Sequence, residues 1–199
     1  MKKTLLTSAI SAALLCGSMT ASASDFYVGA GYGASSADIS ASDVDGDSFT
    51  SDSIDDSDSS YRLFAGYNIN DSVAIEVGYT DLGSYSVTGN FDGTDMDIPA
   101  GPASLNFDAT GWEVSAIGQL PVTDNFSVLG RLGFLMWDVD LDVNTATKSG
   151  SISDDGTDLL YGIGGAYSIT DNLDARLEYI SYDTDGGVDI FSASLVMQF

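Results

Sequence analysis

The chain has 199 residues and a strongly acidic composition, with 30 Asp and Glu residues against 6 Lys and Arg residues. Its net charge of −24 argues against a nucleic-acid partner, because phosphate contacts require clusters of lysine and arginine. The sequence contains no histidine, which excludes histidine-based catalytic triads and the usual zinc sites. Length and composition therefore indicate one domain without an obvious catalytic apparatus.

The first segment of the chain has the three-part pattern of a secretory signal peptide. Lys2 and Lys3 precede an apolar stretch over residues 5–16, and the small residues 21–23 provide a cleavage site. The apolar stretch is shorter than the roughly 20 residues of a membrane-spanning helix, so an uncleaved anchor is the less favoured alternative. We predict cleavage after Ala23, which leaves a domain of residues 24–199.

Beyond the signal peptide, apolar residues alternate with small or polar residues, as in β-strands, and no segment keeps the period of a helix. The alternation predicts eight strands of about ten residues each. In chain order, their apolar faces consist of Phe26, Val28, Ala30 and Tyr32; Tyr61, Leu63, Ala65 and Tyr67; Val73, Ile75, Val77 and Tyr79; Trp112, Val114, Ala116 and Leu120; Phe126, Val128, Leu132, Phe134 and Met136; Leu159, Tyr161, Ile163 and Tyr167; Leu173, Ala175, Leu177 and Tyr179; and Phe191, Ala193, Leu195, Met197 and Phe199.

The opposite faces of the predicted strands carry small or polar residues. This pattern fits a soluble sandwich with its apolar face inward, or a membrane barrel with its apolar face outward. Strands of about ten residues suit a tilted transmembrane strand better than the usual five or six. The residues expected to face the interior of such a barrel include Gly66, Gly78, Ser115, Gln119, Gly133, Gly164, Ser192, Ser194 and Gln198.

The connections between the predicted strands alternate in length. Short turns are expected at 68–72, 121–125 and 168–172, and long polar loops at 38–58, 83–108 and 141–157. Membrane barrels show this asymmetry, with short periplasmic turns and long external loops. Aromatic residues expected at the membrane interface flank the short turns: Tyr67, Phe126, Tyr167 and Phe199. We therefore predict an all-β fold, an eight-stranded antiparallel up-and-down transmembrane β-barrel.

Three segments, each with its turn, resemble the transmembrane domain of the OmpA family of outer membrane proteins. They are GYNINDSVAIEVGYTDLG at 66–83, PVTDNFSVLGRLGFLMW at 121–137 and SITDNLDARLEY at 168–179. The resemblance covers predicted strands two to eight and hardly touches the long loops. It implies an integral protein in the outer membrane of a Gram-negative bacterium, in contact with outer-membrane lipid and lipopolysaccharide.

The resemblance also carries expectations for the end of the chain. Members of this family often have a peptidoglycan-binding domain after the barrel, and we expect none here because the sequence ends with the last predicted strand. The terminal aromatic residue, Phe199, is similar to the signal that the outer-membrane assembly machinery reads. We therefore expect that machinery to be a partner of this protein.

Six charged residues fall on the inward faces of the predicted strands. The lumen of an eight-stranded barrel is only wide enough for side chains to fill it, so buried charges must pair. A salt-bridged plug is the favoured interpretation, and a gate for small ions is the alternative. The six residues are Arg62, Glu76, Glu113, Arg131, Arg176 and Glu178.

The family resemblance sharpens the expected pairing. A lysine on the fourth strand of the OmpA pattern pairs with luminal glutamates, and Ile117 stands at its position here. Glu76 and Glu178 match the family's luminal carboxylates and would lose this partner. Of the three luminal arginines, only Arg62 lies outside a matching motif. We hypothesise that Arg62 replaces the lysine by pairing with Glu76 on the neighbouring strand.

The remaining acidic residues are all Asp and crowd the predicted long loops, giving the cleaved chain a net charge of −26. Asp43, Asp45 and Asp47 form the sequence DVDGD, which begins like a calcium-binding loop but lacks its glutamate and spacing. Weak screening by divalent cations is the favoured interpretation, because Asp clusters attract hard cations. We expect no specific metal site and no cofactor.

These patterns lead to two hypotheses for function. The favoured one is a non-enzymatic, monomeric outer-membrane barrel with a structural or surface-interaction role, exposing acidic Asp-rich loops. The alternative is a narrow porin-like channel for ions or very small solutes, gated by the luminal arginine–glutamate pairs. A lipid-modifying enzyme is disfavoured, because no histidine can act as the base.

Overall fold

The computed structural model of the protein describes residues 25–38, 49–92, 100–145, 149–184 and 187–199. The predicted signal peptide and the residues Asp43, Asp45 and Asp47 lie outside these ranges. In the described ranges there is no helix of the length and apolar character needed to span a membrane.

The described chain is built from antiparallel β-strands. The strands are β1 Phe26–Ala37, β2 Phe49–Asp55, β3 Ser57–Asn70, β4 Val73–Phe91, β5 Gly101–Pro121, β6 Phe126–Thr145, β7 Ser149–Thr170, β8 Leu173–Tyr182 and β9 Val188–Gln198. Eight of them close into a ring in the order β4-β3-β1-β9-β8-β7-β6-β5, with β5 pairing back onto β4. This ring confirms the predicted eight-stranded antiparallel barrel.

The outer surface of the ring is apolar, as the alternation predicted. Leu132 and Ile163 are 63% and 64% exposed, whereas Ser115 on the inward face is 3% exposed. Successive side chains of a strand point to opposite faces, so each strand turns its apolar row outward and its small or polar row inward. In a lipid bilayer this arrangement satisfies the backbone within the ring and exposes apolar side chains to the acyl chains.

The lumen is not uniformly polar, which corrects the prediction of a small and polar interior. Two layers of buried apolar side chains enclose the charged residues, one near the short turns and one at the opposite rim. The layer near the turns contains Tyr27, Phe64, Ala74, Ile117, Leu129, Ala166 and Val196. The layer at the rim includes Leu82, Tyr85, Leu135, Leu160, Ile180, Tyr182 and Ile190.

Four adjacent strands continue far beyond the ring. β4, β5, β6 and β7 have 19, 21, 20 and 22 residues, whereas β8, β9 and β1 have 10, 11 and 12. Their outer parts, together with β2, form an open five-stranded sheet at the end opposite the short turns. We call this region the projecting sheet; it comprises β2 and residues 84–91, 101–109, 138–145 and 149–158.

The projecting sheet corrects the prediction that 83–108 and 141–157 are loops. Asp138, Asp140 and Asp142 point to the outer face, while the alternating residues Val139, Leu141 and Val143 are partly buried on the inner face. The segment therefore has the two-residue period of a strand, although its Asp content suggested a solvated loop. Apolar contacts on the inner face stabilise the extension, including those of Val87 with Leu105 and Phe107.

Candidate functional site

The candidate site is the layer of six charged residues in the lumen. Arg62 lies on β3, Glu76 on β4, Glu113 on β5 and Arg131 on β6, while Arg176 and Glu178 are two positions apart on β8. All six are buried, with Glu113 fully inaccessible to solvent. The two-residue period places them all inward, and their side chains meet across the lumen between the two apolar layers.

Arg62 lies at the centre of this layer. Its Nη2 donates to Glu76 Oε1 at 2.5 Å, and its Nε donates to Glu113 Oε2 at 2.7 Å. A third carboxylate oxygen, Oε2 of Glu178, is 3.6 Å from Nη1. The structure thus places Arg62 against Glu76, as hypothesised from the sequence, and adds a contact with Glu113 across the strand between them.

Glu76 has the closest contacts with all three arginines of the layer. Arg131 Nη1 and Arg176 Nη1 each lie 2.7 Å from one of its oxygens, in addition to the contact with Arg62. The hydroxyl of Tyr27 donates to Oε2 at 3.0 Å. Three arginines therefore surround Glu76 without the fourth-strand lysine. Ile117, at that lysine's position, is buried in the apolar layer near the turns.

The other two carboxylates are also held by side-chain donors. Arg131 donates to Glu178 Oε1 from Nε at 3.1 Å and from Nη2 at 2.9 Å. Its Nη1 also donates to Ser115 Oγ at 2.7 Å. Glu113 accepts a hydrogen bond from the Tyr182 hydroxyl. The roles of Tyr27 and Tyr182 were not predicted from the sequence, although Tyr182 lies in the same inward phase as Glu178.

The layer is electrically neutral, with three arginines and three glutamates. Removing such charges from water is costly, and the cost is offset only when each charge has partners at close range. The planar guanidinium suits this role because it binds several carboxylates at once and stacks on aromatic rings. The Arg62 guanidinium lies 4.6 Å from the centroid of the Phe64 ring. The Arg176 guanidinium lies 5.5 Å from the centroid of the Tyr27 ring.

The charged groups are engaged with one another between the two apolar layers. Within the described ranges, no group of three or more His, Cys, Asp or Glu side chains is placed to hold a metal ion. A narrow gap on the rim side is lined by Thr80 and Ser192, whose buried hydroxyl oxygens have no hydrogen-bond partner.

The remaining predicted site residues lie elsewhere. Phe199 directly follows β9, is 44% exposed, and donates its backbone N–H to the carbonyl oxygen of Phe26 at 3.2 Å. Its role as an assembly signal stays a prediction. The weak cation-binding loop of Asp43, Asp45 and Asp47 falls outside the described residues and also stays a prediction.

A closed ring of antiparallel strands with an apolar outer surface and an ion-paired lumen defines an integral outer-membrane β-barrel. The chain belongs to the OmpA-like transmembrane domain family, whose model matches residues 21–187. This membership confirms the resemblance seen in the sequence and the outer-membrane location in a Gram-negative bacterium.

Individual relatives agree with this assignment. Outer membrane protein A of Klebsiella pneumoniae is 30% identical over 118 residues, which are 58% of this chain and 31% of that protein. The crystal structure of Neisserial surface protein A has a TM-score of 0.58 at 20% identity and covers 90% of this chain and 100% of that chain. A second crystal structure is that of the Yersinia pestis attachment invasion locus protein Ail in complex with the heparin analogue sucrose octasulfate. It has a TM-score of 0.52 at 13% identity and covers 88% of this chain and 99% of that chain.

These matches differ in what they support. The matched region is less than a third of the Klebsiella pneumoniae protein, so the activity of that whole protein does not transfer with the alignment. The two solved structures are each below 25% identity and support the fold alone.

Proposed function

We propose that the protein is a non-enzymatic outer-membrane barrel with a structural and surface-interaction role. The observation that carries this proposal is the closure of the lumen by Arg62, Arg131 and Arg176 against three buried carboxylates. Apolar layers above and below this ionic layer further restrict the passage of solutes. With the lumen filled, the surface beyond the ring is the part that can meet other molecules.

The projecting sheet is the proposed interaction surface. Barrels of this class place short turns in the periplasm and long connections outside, which would put the projecting sheet at the cell exterior. Its outer face carries exposed carboxylates, among them Asp138, Asp142 and Asp155. We expect it to attract divalent cations that bridge to lipopolysaccharide phosphates, and other cationic partners. A polyanion such as the Ail ligand should be repelled here.

Labelling of single cysteines tests this placement. The chain has one cysteine, Cys16, within the predicted signal peptide, so the cleaved protein offers a cysteine-free background. A membrane-impermeant maleimide should label Ser151→Cys on the projecting sheet in intact cells and should not label Asn125→Cys at a short turn. The reverse pattern would invert the topology and overturn the proposed surface role.

The alternative function is a narrow channel gated by the luminal pairs. One observation favours it: Arg62 Nη1 and Glu178 Oε2 lie 3.6 Å apart without a hydrogen bond, beside the gap lined by Thr80. Rearrangement of these groups would open the most accessible path past the ionic layer. Single-channel recording of the refolded protein in a planar bilayer decides between the two functions. We expect no sustained conductance; regular open states would favour the channel.

A further inference from the structure

The outer part of β7 has a neighbouring strand on one side only. Residues 149–158 pair with β6 along their whole length, from Asn144 with Ser149 to Leu135 with Asp158. Pairing with β8 begins only at Leu160, and the hydrogen bond from Asp183 N–H to the Leu159 carbonyl oxygen is its outermost contact. Within the described ranges, residues 149–158 therefore form an edge of the projecting sheet. Its backbone groups are available for another strand except the N–H of Asp155, which donates to Asp154 Oδ1 at 3.1 Å.

The two faces beside this edge differ in chemistry. On the inner face, Ile152 is 64% exposed and lies opposite the partly buried Leu141. On the outer face, Asp155 lies opposite Asp138, and both side chains are exposed. A strand added at this edge would continue both faces, because its side chains would alternate in the same way. Its inward residues would meet Ile152 and Asp154, and its outward residues would meet Asp155 and the carboxylates of β6 beyond it.

The edge is held in place before any partner binds. The Trp137 indole Nε1 donates to Asp158 Oδ2, and the Ser153 hydroxyl donates to Asp140 Oδ1 at 2.6 Å. Both contacts fix β7 to β6 on opposite faces of the sheet. A preorganised edge loses less conformational freedom when a strand is added, which favours binding.

The charges of the edge disfavour pairing with a second copy of this chain. Asp154 lies on the inner face opposite Val139, and Asp155 on the outer face opposite Asp138. Two such edges brought together in a central register would place carboxylates near carboxylates, and like charges opposite each other destabilise a sheet. Inward-pointing charges on edge strands act in the same way against self-association. A cationic strand would instead be attracted by these carboxylates.

We propose that the edge formed by residues 149–158 binds an extended polypeptide in which lysine or arginine alternates with apolar residues. Backbone hydrogen bonds to β7 hold the strand, apolar side chains cover Ile152, and cationic side chains neutralise Asp155 and its neighbours. The inference rests on the proposed surface role, because it names the partner class of the same projecting sheet.

Binding of designed peptides to the refolded protein in detergent tests this proposal. The probe is a fluorescent ten-residue peptide alternating lysine and valine, and its control is the same peptide with its central backbone amides N-methylated. The control keeps every charge and side chain but cannot form a β-ladder. We expect the control to bind at least tenfold more weakly in fluorescence anisotropy; equal binding would overturn strand addition.

Variants of the protein locate the binding site. Asp138→Asn together with Asp155→Asn should weaken binding of the probe about fivefold, because these two exposed charges lie on the face that meets the lysines and contribute modestly. The matched control, Asp124→Asn with Asp171→Asn, removes the same charge at the short turns and should leave binding unchanged. In addition, with copper–phenanthroline and oxygen as the oxidant, Ser151→Cys should form a disulfide with a cysteine-bearing probe, whereas Asn125→Cys should not. Equal crosslinking of both variants would overturn the assignment to β7.

The outcomes separate this inference from the proposed function. If the probe and the N-methylated control bind equally, and the Asp138 and Asp155 substitutions weaken both, the edge inference fails while an acidic interaction surface remains. If neither peptide binds, the edge inference fails by itself, since cysteine labelling in intact cells tests the placement of the projecting sheet independently.

Discussion

The luminal charge layer and the projecting sheet show how the same chemical groups behave in two environments. The described ranges contain three basic residues, Arg62, Arg131 and Arg176, and all of them lie in the lumen. Every ion pair between described residues is found there as well. The projecting sheet carries exposed carboxylates, whose charge is solvated by water. Burial, rather than charge itself, determines which groups must be paired.

Loss of the central carboxylate should produce the largest effect. Glu76→Gln leaves three arginines and Tyr27 facing a neutral amide in the buried layer, so we expect a loss of about 3–5 kcal/mol in the free energy of unfolding. The matched control is Asp138→Asn, which removes the same charge from the projecting sheet and should change stability by less than about 0.5 kcal/mol. Urea unfolding of the refolded barrel in lipid vesicles measures both values. Equal effects would remove the distinction between the two regions.

Loss of the Arg62 ion pairs should produce the second-largest decrease in the free energy of unfolding. Arg62→Ala leaves Glu76 and Glu113 short of a cation and should cost about 3 kcal/mol. In an Arg62→Ala, Glu76→Gln double mutant we expect a coupling energy of about 1–3 kcal/mol. The double mutant should regain only part of the stability lost in Arg62→Ala, because Glu113 also loses its contact with Arg62. Additive effects in the double-mutant cycle would contradict direct pairing.

The same Arg62 variant also tests the gate. If the arginine closes the lumen, Arg62→Ala should raise single-channel conductance above that of the unchanged protein. An Asp138→Asn control should leave conductance unchanged, since this residue lies outside the ring. Unchanged conductance in Arg62→Ala would contradict the gating hypothesis and leave the structural role of the layer intact.

Much of the fold follows from a period of two residues, because that pattern assigns each side chain to the lipid or the lumen. The pattern does not predict which inward apolar residues pack together into a layer. Ile117 and Leu129 interrupt the polar row, and only the closed ring shows that they form a layer together. The contacts of Arg176 with Glu76 also join strands that are not neighbours, so hairpin adjacency could not predict them.

The projecting sheet was missed for a different physical reason. A segment such as residues 138–143 is dense in Asp, and that composition is typical of solvated loops. Its Val and Leu residues nevertheless alternate and pack on one face of a sheet extended from the barrel. A rigid ring below imposes the strand register on the residues that follow, which composition alone does not indicate.

Removing the repulsion between carboxylates on the projecting sheet should stabilise the sheet slightly, whereas the substitutions in the lumen destabilise the barrel. Asp138 and Asp155 are directly opposite each other on β6 and β7. Replacing both with Asn should stabilise this strand pair by about 0.2–1 kcal/mol at low salt, because like charges facing each other destabilise a sheet. Hydrogen exchange of the amides of β7 should slow, and the difference should shrink at about 1 M salt. A loss of protection would show that the carboxylates stabilise the sheet.

The smallest effect is expected at Asp58, where the two regions meet. Its carboxylate accepts the backbone N–H groups of Ser84 at 2.8 Å and Ser59 at 2.7 Å, next to the irregular step at Gly83, whose φ is 101°. These hydrogen bonds lower the pKa of Asp58, first through Ser84 and then through Ser59. Because the folded-state pKa is depressed, its stabilising contribution is present above the unfolded-state pKa and is lost as pH falls through the folded-state value.

Measurements at the junction can detect this contribution. In NMR spectra, the Ser84 amide shift should titrate with the depressed pKa of Asp58, and Asp58→Asn should abolish that titration. The same variant should increase hydrogen exchange at Ser84 while leaving amides beside Glu76 unchanged, because the luminal layer does not depend on this contact. If exchange rose equally in both places, the projecting sheet and the barrel would open as one unit rather than as two regions.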